Sequence, residues 1–243
     1  MKRIALIVII ATVAIAGVAA CGTSTVTHPA PAVTTTTPAA QGQSACTDLN
    51  GTVGPDQICH VRSVTATYKI DIGFPLDYPD LRPVTGFLDH GRAGFIDWVT
   101  TIGPRQKRGR PYEYVVTAKT YRSGTPDSGT QSLVLHIDDD TGLANEGHPN
   151  TTFAGFNFDL AKRSPITFET LFRPGTHPLE VLNPIVERQL HAAPGDLTEE
   201  TYQNFALTDN AVIFFFGQNQ VVTDNNGPHR VAVPRTELAS LLA

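Results

Sequence analysis

Residues 111–138 read PYEYVVTAKTY (111–121), RSGTPDSGT (122–130) and QSLVLHID (131–138). The first and last segments have strand composition. The stretch Ser123-Gly124-Thr125-Pro126-Asp127-Ser128-Gly129 between them is turn chemistry throughout, so an antiparallel hairpin is predicted. Downstream, Thr151 to Asp159 reads as a further strand with Phe153, Phe156 and Phe158 to bury. Ala211 to Phe216 (AVIFFF) has no alternation, which predicts a central strand covered on both faces. Arg230 to Val233 is a last strand, and a short helix is expected from Glu237. Between them, Leu179, Leu182, Ile185, Val186 and Leu190 form an apolar stripe on a helix over 178–190, in which Pro184 predicts a kink or a later start.

Upstream, Val64 to Ile72 (VTATYKIDI) alternates strictly, with Val64, Ala66, Tyr68, Ile70 and Ile72 on one face, and reads as one half-buried strand ended by Phe74-Pro75. Val84, Leu88, Gly91, Phe95 and Trp98 then fall on one face of a helix opened by Pro79-Asp80, with Phe87 beside them. Gly86, Gly91 and Gly94 weaken that helix. The sum is α+β: a single domain with a mostly antiparallel sheet and a few packed helices.

The chain has 243 residues, 41% hydrophobic and 17% charged, which excludes a multi-span membrane protein, a collagen-like repeat and a wholly disordered polymer. A net charge of −5 gives no basic face for phosphates, so no nucleic-acid partner is expected. Lys2 and Arg3 precede an uncharged run from Ile4 to Val18, shorter than the roughly 20 residues a spanning helix needs and suited to a secretory signal. Val18-Ala19-Ala20-Cys21-Gly22 resembles the lipobox of bacterial lipoproteins. That resemblance implies removal of residues 1–20 and lipidation of Cys21, hence a partner in the membrane and a place on the outer face of the cytoplasmic membrane. Loss of Lys2 and Arg3 takes the 18 basic residues to 16 against 23 acidic ones, a net of −7 that suits standing off an anionic surface.

Residues 21–45 are expected to be an extended tether. Gly22 to Ala45 is rich in threonine, alanine and proline and has too little apolar surface to offset its ordering entropy. The folded domain is expected from Cys46 to Ala243. With Cys21 lipidated, two of the three cysteines remain, Cys46 and Cys59. An oxidising compartment favours a disulfide between them, and a metal pair lacks a second cysteine pair or a spaced histidine partner beyond His60.

The run Tyr202-Gln203-Asn204-Phe205-Ala206-Leu207-Thr208-Asp209-Asn210 leading into AVIFFF, then Gly227-Pro228 and Val233-Pro234-Arg235, resembles the mycobacterial secreted immunogenic-protein family. Further family-like stretches are Phe74-Pro75, Asp77-Tyr78-Pro79-Asp80, Pro111-Tyr112-Glu113, His148-Pro149 with Thr151-Thr152, Phe156-Asn157, and Pro165-Ile166-Thr167-Phe168 with Thr170-Leu171-Phe172. Cys46 and Cys59, with Gly51 between them, match the paired cysteines of that family. The likeness runs over about residues 46–243. It implies an α+β domain with a β-grasp-like element, and kinship with the extracytoplasmic domain of the lysozyme-sensing anti-sigma factor and the non-catalytic part of some peptidoglycan deacetylases. It also implies ester hydrolysis as one activity within the family. Cys21 and the tether depart from the secreted members, as does the longer loop Asp138 to Gly147.

Acyl transfer needs a nucleophile, a base and donors for the oxyanion. No G-x-S-x-G is present. Ser63, Ser123, Ser128, Ser132, Ser164 and Ser240 are the serines of residues 46–243. Ser123 and Ser128 are nucleophile candidates in a glycine-rich turn, where backbone hydrogen bonding is the competing role. His148 is the candidate base, at a loop-to-strand junction. Tyr202 and Asn204 are candidate binding residues, unless they serve to satisfy the ends of the strand beside them. Asp138-Asp139-Asp140 with Asn145, Glu146 and His148 departs from the calcium-loop spacing, so no metal and no cofactor are expected. Arg105, Lys107, Arg108 and Arg110 form a short basic run, read as a solvated loop or a contact for an anionic wall polymer. The favoured function is a monomeric envelope lipoprotein that binds wall polymer or host proteins. The alternative is a wall-associated esterase hydrolysing short acyl esters.

Overall fold

The computed structural model describes residues 38–105, 109–141, 149–192, 195, 197–222 and 227–243. The hairpin forms as predicted: β4 (Tyr112–Ser123) pairs antiparallel with β5 (Thr130–Asp139), in register from Tyr114 opposite Asp139 to Ser123 opposite Thr130. Glycine is needed at both ends of its turn. Gly124 takes a φ of +73°, and a Cβ on Gly129 would collide with the Ser123 carbonyl oxygen.

Around this hairpin lies a seven-stranded sheet in sequential order, β1 to β7. Before the hairpin come β1 (Thr52–Val53), β2 (Ile58–Val64) and β3 (Tyr68–Pro75); after it come β6 (Asn150–Asp159) and β7 (Ser164–Pro165). All neighbours pair antiparallel except β3 with β4, which run parallel. That pair needs a crossover, supplied by the helix α2 (Leu81–Thr101). Asp80 caps α2, accepting from the Arg82 N–H, as the Pro79-Asp80 signal predicts.

The alternating run at 64–72 is not one strand. β2 ends at Val64, the chain turns at 65–67, and β3 starts at Tyr68. Thr65 closes that turn by accepting from the N–H groups of Thr67 and Tyr68 through its hydroxyl. Val64 lies opposite Lys69, so it shares the face of Lys69 rather than that of Ile70 and Ile72, and it is 75% exposed. The domain's first helix, α1 (Pro38–Asp48), also runs back into the segment expected to be extended tether. Two contacts make helix worthwhile there. Gly42 lies against Leu76, where a Cβ would come within 2.9 Å of the Leu76 Cβ, and Cys46 near the helix end is disulfide-bonded to Cys59 of β2. Gly51 lies directly beneath that bond, where a Cβ would meet the Cys59 sulfur at 2.6 Å.

One face of the large sheet buries Ile70, Ile72, Phe74, Tyr114, Val116, Leu133, Leu135 and Ile137 against Val84, Leu88, Phe95 and Val99 of α2. Gly91 permits this approach, because a Cβ there would stand 2.5 Å from the Tyr114 hydroxyl. Beyond β7 come α3 (Phe168–Leu171), α4 (Pro178–Leu190), β8 (Phe205–Leu207), β9 (Ala211–Phe216), β10 (His229–Pro234) and α5 (Arg235–Leu238). α4 starts at Pro178 and runs through Pro184, and α5 starts at Arg235, ahead of Glu237. β9 is the middle strand of a second sheet, ordered β10-β9-β8. One side of this sheet buries Val212, Phe214, Phe216, Val231 and Val233 against Leu182, Ile185 and Val186 of α4 and against Phe168 and Tyr202.

The other side of the second sheet packs on the large sheet, on the face away from α2. Asn204 Oδ1 accepts from Gly155 N (3.0 Å), Asn157 Nδ2 donates to Phe205 O (3.0 Å), and Leu207 N donates to Ser132 Oγ (2.9 Å). β8 therefore crosses from β6 to β5 within four residues. Val134, Ala206 and Phe215 form a small apolar cluster where the sheets meet.

Candidate active site

Cross-strand partners share a face, so the register defines a grid on the side of the hairpin that meets the second sheet. One row is Val115, Asp138 and Thr151; the next is Thr117, His136 and Phe153; then come Lys119, Val134 and Gly155, and finally Tyr121, Ser132 and Asn157. The second sheet covers the Ser132 and Asn157 end and leaves the His136 end open. There a cleft of about 350 Å³ is floored by Thr117, Lys119, Val134, His136 and Phe153, and walled by Phe215, Pro228, His229 and Arg230. That volume is enough for a small organic ligand.

The apolar part of the cleft is an aromatic chain. His136 to Phe153 is 5.2 Å between ring centroids, Phe153 to Phe215 is 5.4 Å, and Phe215 to Tyr121 is 5.9 Å. The polar part centres on His136, whose Nδ1 is 3.6 Å from Asp138 Oδ2. This is ion-pair distance rather than a formed hydrogen bond. The Thr151 hydroxyl donates to Asp138 Oδ1 at 2.6 Å, fixing the carboxylate with its other oxygen toward the imidazole. Thr117 is the hydroxyl on the strand beside His136, directly opposite it in register. A histidine with a carboxylate 3.6 Å away, next to an apolar slot, is an arrangement suited to general-base chemistry on an apolar substrate.

The residues singled out by sequence lie elsewhere. Ser128 is hydrogen-bonded to Thr125 at 2.7 Å, and Ser123 ends β4 opposite Thr130, both at the hairpin's far end. Tyr202 is fully buried and its hydroxyl donates to Asn183 Oδ1 at 2.8 Å; burial first, then the charge of Glu187, pushes its phenol above the ordinary tyrosine range. Asn204 holds Gly155 N, so it joins the two sheets. Asp140 pairs with Arg110 at 2.8 Å, and Asp139 accepts from Thr141 N. Cys21 and the segment before Pro38, along with Lys107, Arg108, Asn145, Glu146 and His148, lie outside the described residues. The i, i+2 pair His136 and Asp138 was available as a signal, since such residues share a face of a strand.

Esterase Rv3036c of Mycobacterium tuberculosis is 39% identical over 213 residues, covering 84% of this chain and 91% of its own. Immunogenic protein MPT64 of Mycobacterium tuberculosis and immunogenic protein MPB64 of Mycobacterium bovis are each 36% identical over 207 residues, covering 82% of this chain and 88% of theirs. The chain belongs to the mycobacterial immunogenic-protein family. Residues 169–236 also match a family model described as a protein of unknown function (DUF3298). A solved DUF3298 family protein from Pseudomonas aeruginosa shares the fold, with a TM-score of 0.51 at 14% identity, covering 79% of this chain and 96% of that one. In this member of the immunogenic-protein family, the DUF3298 match contains Phe215, Pro228, His229 and Arg230 of the cleft wall, whereas His136 and Asp138 lie outside it.

Proposed function

We propose that this chain is an ester hydrolase of the cell envelope that acts on short acyl esters in the cleft between the two sheets. The observation that carries the reading is the His136–Asp138 pair, held by Thr151 and opening onto an aromatic slot. A relative of 39% identity that is named an esterase supports it.

In this reading the acyl chain lies along Phe153, Phe215 and Tyr121, with the ester carbonyl beside His136. His136 takes a proton from a water molecule as that oxygen attacks the carbonyl carbon. The tetrahedral intermediate then expels the alcohol, which receives the proton from the imidazolium, leaving a carboxylic acid. Asp138 stabilises the imidazolium while it carries the proton. Water is the nucleophile because no serine is among the described residues lining the cleft, and Ser132 on the same face is buried and accepts from Leu207 N. Lipidation at Cys21 and the segment behind it would hold this domain outside the cytoplasmic membrane, within reach of wall esters.

The test is hydrolysis of 4-nitrophenyl esters from acetate to octanoate. His136→Gln is expected to lower kcat/KM by about 10²-fold or more, and Asp138→Asn by less. A serine-reactive phosphonate should leave the protein unlabelled. Labelling of a serine with loss of turnover would overturn the assignment of His136 and water. If wild-type protein cleaves none of the esters, the binding reading replaces the esterase reading.

A further inference from the structure

The cleft carries a charge that ester hydrolysis alone does not use. Lys119 lies on its floor, one row from Thr117, and its ammonium sits 5.1 Å from the Tyr121 ring centroid. Arg230 lies on the opposite wall, where it is the register partner of Phe215 and therefore shares the inward face of the second sheet. Among the described residues neither side chain pairs with a carboxylate. By contrast Arg62, Lys69, Arg82, Arg92, Arg110 and Arg122 each do. The nearby Asp138 is engaged by His136 and Thr151. No Asp or Glu is among the described residues lining the cleft, so Lys119 and Arg230 face one slot without a carboxylate beside them there.

We infer that Lys119 and Arg230 form an anion subsite, and that the cleft takes short amphiphilic anions: a small apolar chain bearing a carboxylate or phosphate group. The apolar chain packs on Phe153, Phe215 and Tyr121 while the anion lies between the ammonium and the guanidinium. For the esterase reading on which it builds, this names the substrate class as esters that carry an anionic group, in preference to neutral esters of the same length. Guanidinium recognises both carboxylate and phosphate, so the shared chemistry is the anion and not one headgroup.

Calorimetric titration of the whole protein with hexanoate, hexyl phosphate and the neutral hexanol tests binding without any need for turnover. Either anion should bind more tightly than hexanol, and added salt should weaken that binding. Lys119→Gln or Arg230→Gln should each weaken it about threefold, and the pair about tenfold, as befits exposed charges. Arg188→Gln on α4 serves as a control for charge alone. In parallel, the ratio of kcat/KM for the hemisuccinate to the butyrate ester of 4-nitrophenol should fall in the double variant. Anions that bind no better than hexanol, or binding that the double variant leaves unchanged, would overturn the subsite. Loss of the esterase reading looks different: no ester is cleaved, yet hexanoate binding persists and depends on Lys119 and Arg230.

Discussion

Gly155→Ala adds one methyl group where the two sheets touch. A Cβ at that position would stand 2.9 Å from Phe205 N, 3.0 Å from Phe205 O and 3.3 Å from Asn204 Cα. All three are backbone atoms of a strand held from both sides, so no side-chain rotation relieves the clash. Overpacking of this kind costs about 1–3 kcal/mol, and the displaced strand also weakens the Asn204 Oδ1 to Gly155 N hydrogen bond, about another 1 kcal/mol. Replacing glycine in a strand returns about 0.5–1 kcal/mol, leaving a net loss of about 2 kcal/mol. For a domain of this size that is about 4–8 °C in Tm. Gly86→Ala is the same chemical change at an exposed helical position with nothing within 4 Å, and should raise stability by about 0.5–1 kcal/mol. Urea denaturation of both variants gives the two signs directly. A Gly155→Ala protein as stable as wild type would refute the claim that backbone contact at β8 sets the spacing of the sheets. Any ester turnover should fall with it, because that same contact sets Phe215 and Arg230 on the wall of the cleft whose floor holds His136.

Other outcomes follow from the rest of the structure. Replacing both Cys46 and Cys59 with alanine releases a loop of sequence separation 13 and should cost about 3 kcal/mol, read as a lowered urea midpoint. Burial, and then the charge of Asp139, pushes the Tyr114 phenol from 10.0 up to about 12, so folding favours the neutral form. Its stabilisation, about 3 kcal/mol, is full below pH 10 and lost as pH rises toward 12; tyrosinate absorbance should appear together with unfolding rather than before it. Hydrogen bonding from the Arg82 side chain, ahead of every other influence, holds the Asp80 carboxyl below its ordinary value, so its contribution is present above about pH 4 and lost as pH falls. Asp80→Ala should lower stability at neutral pH by about 1 kcal/mol and by less in acid, as measured by thermal melts at both pH values.

The hairpin, the buried β9 strand and the capped helix α2 are legible in sequence because each is signalled locally, by turn residues, by an unbroken apolar run or by a cap. Local signals fail where tertiary contact decides. The alternation from Val64 to Ile72 continues smoothly through a two-strand turn, and only the pairing of Val64 with Lys69 shows that its parity reverses there. Helix α1 depends on Leu76 and Cys59, distant in sequence, to give an alanine-rich segment something to pack on. β8 is only three residues long and owes its place to Ser132 and Asn157 of the other sheet. The candidate site is less legible still. Its histidine and carboxylate are separated by one residue in the sequence, but nothing local marks that face of β5 as the uncovered one.

What distinguishes His136 from Ser132 is where the second sheet crosses. Both point from β5 to the same side, four residues apart, and their neighbours on β4 and β6 have the same alternation. Ser132 lies under β8, is fully buried, and its hydroxyl is used to satisfy Leu207 N. His136 lies past the crossing, with its side chain 38% exposed at the mouth of the cleft. A hydroxyl at the covered end can only be structural, since a buried acceptor cannot leave its donor without cost. At the open end an imidazole ring meets water and an apolar slot together. The crossing of the second sheet thus divides one strand face into a core half and an open half. It also explains why the cleft draws its floor from the hairpin and its wall from β9 and β10, so that neither segment alone contains a site.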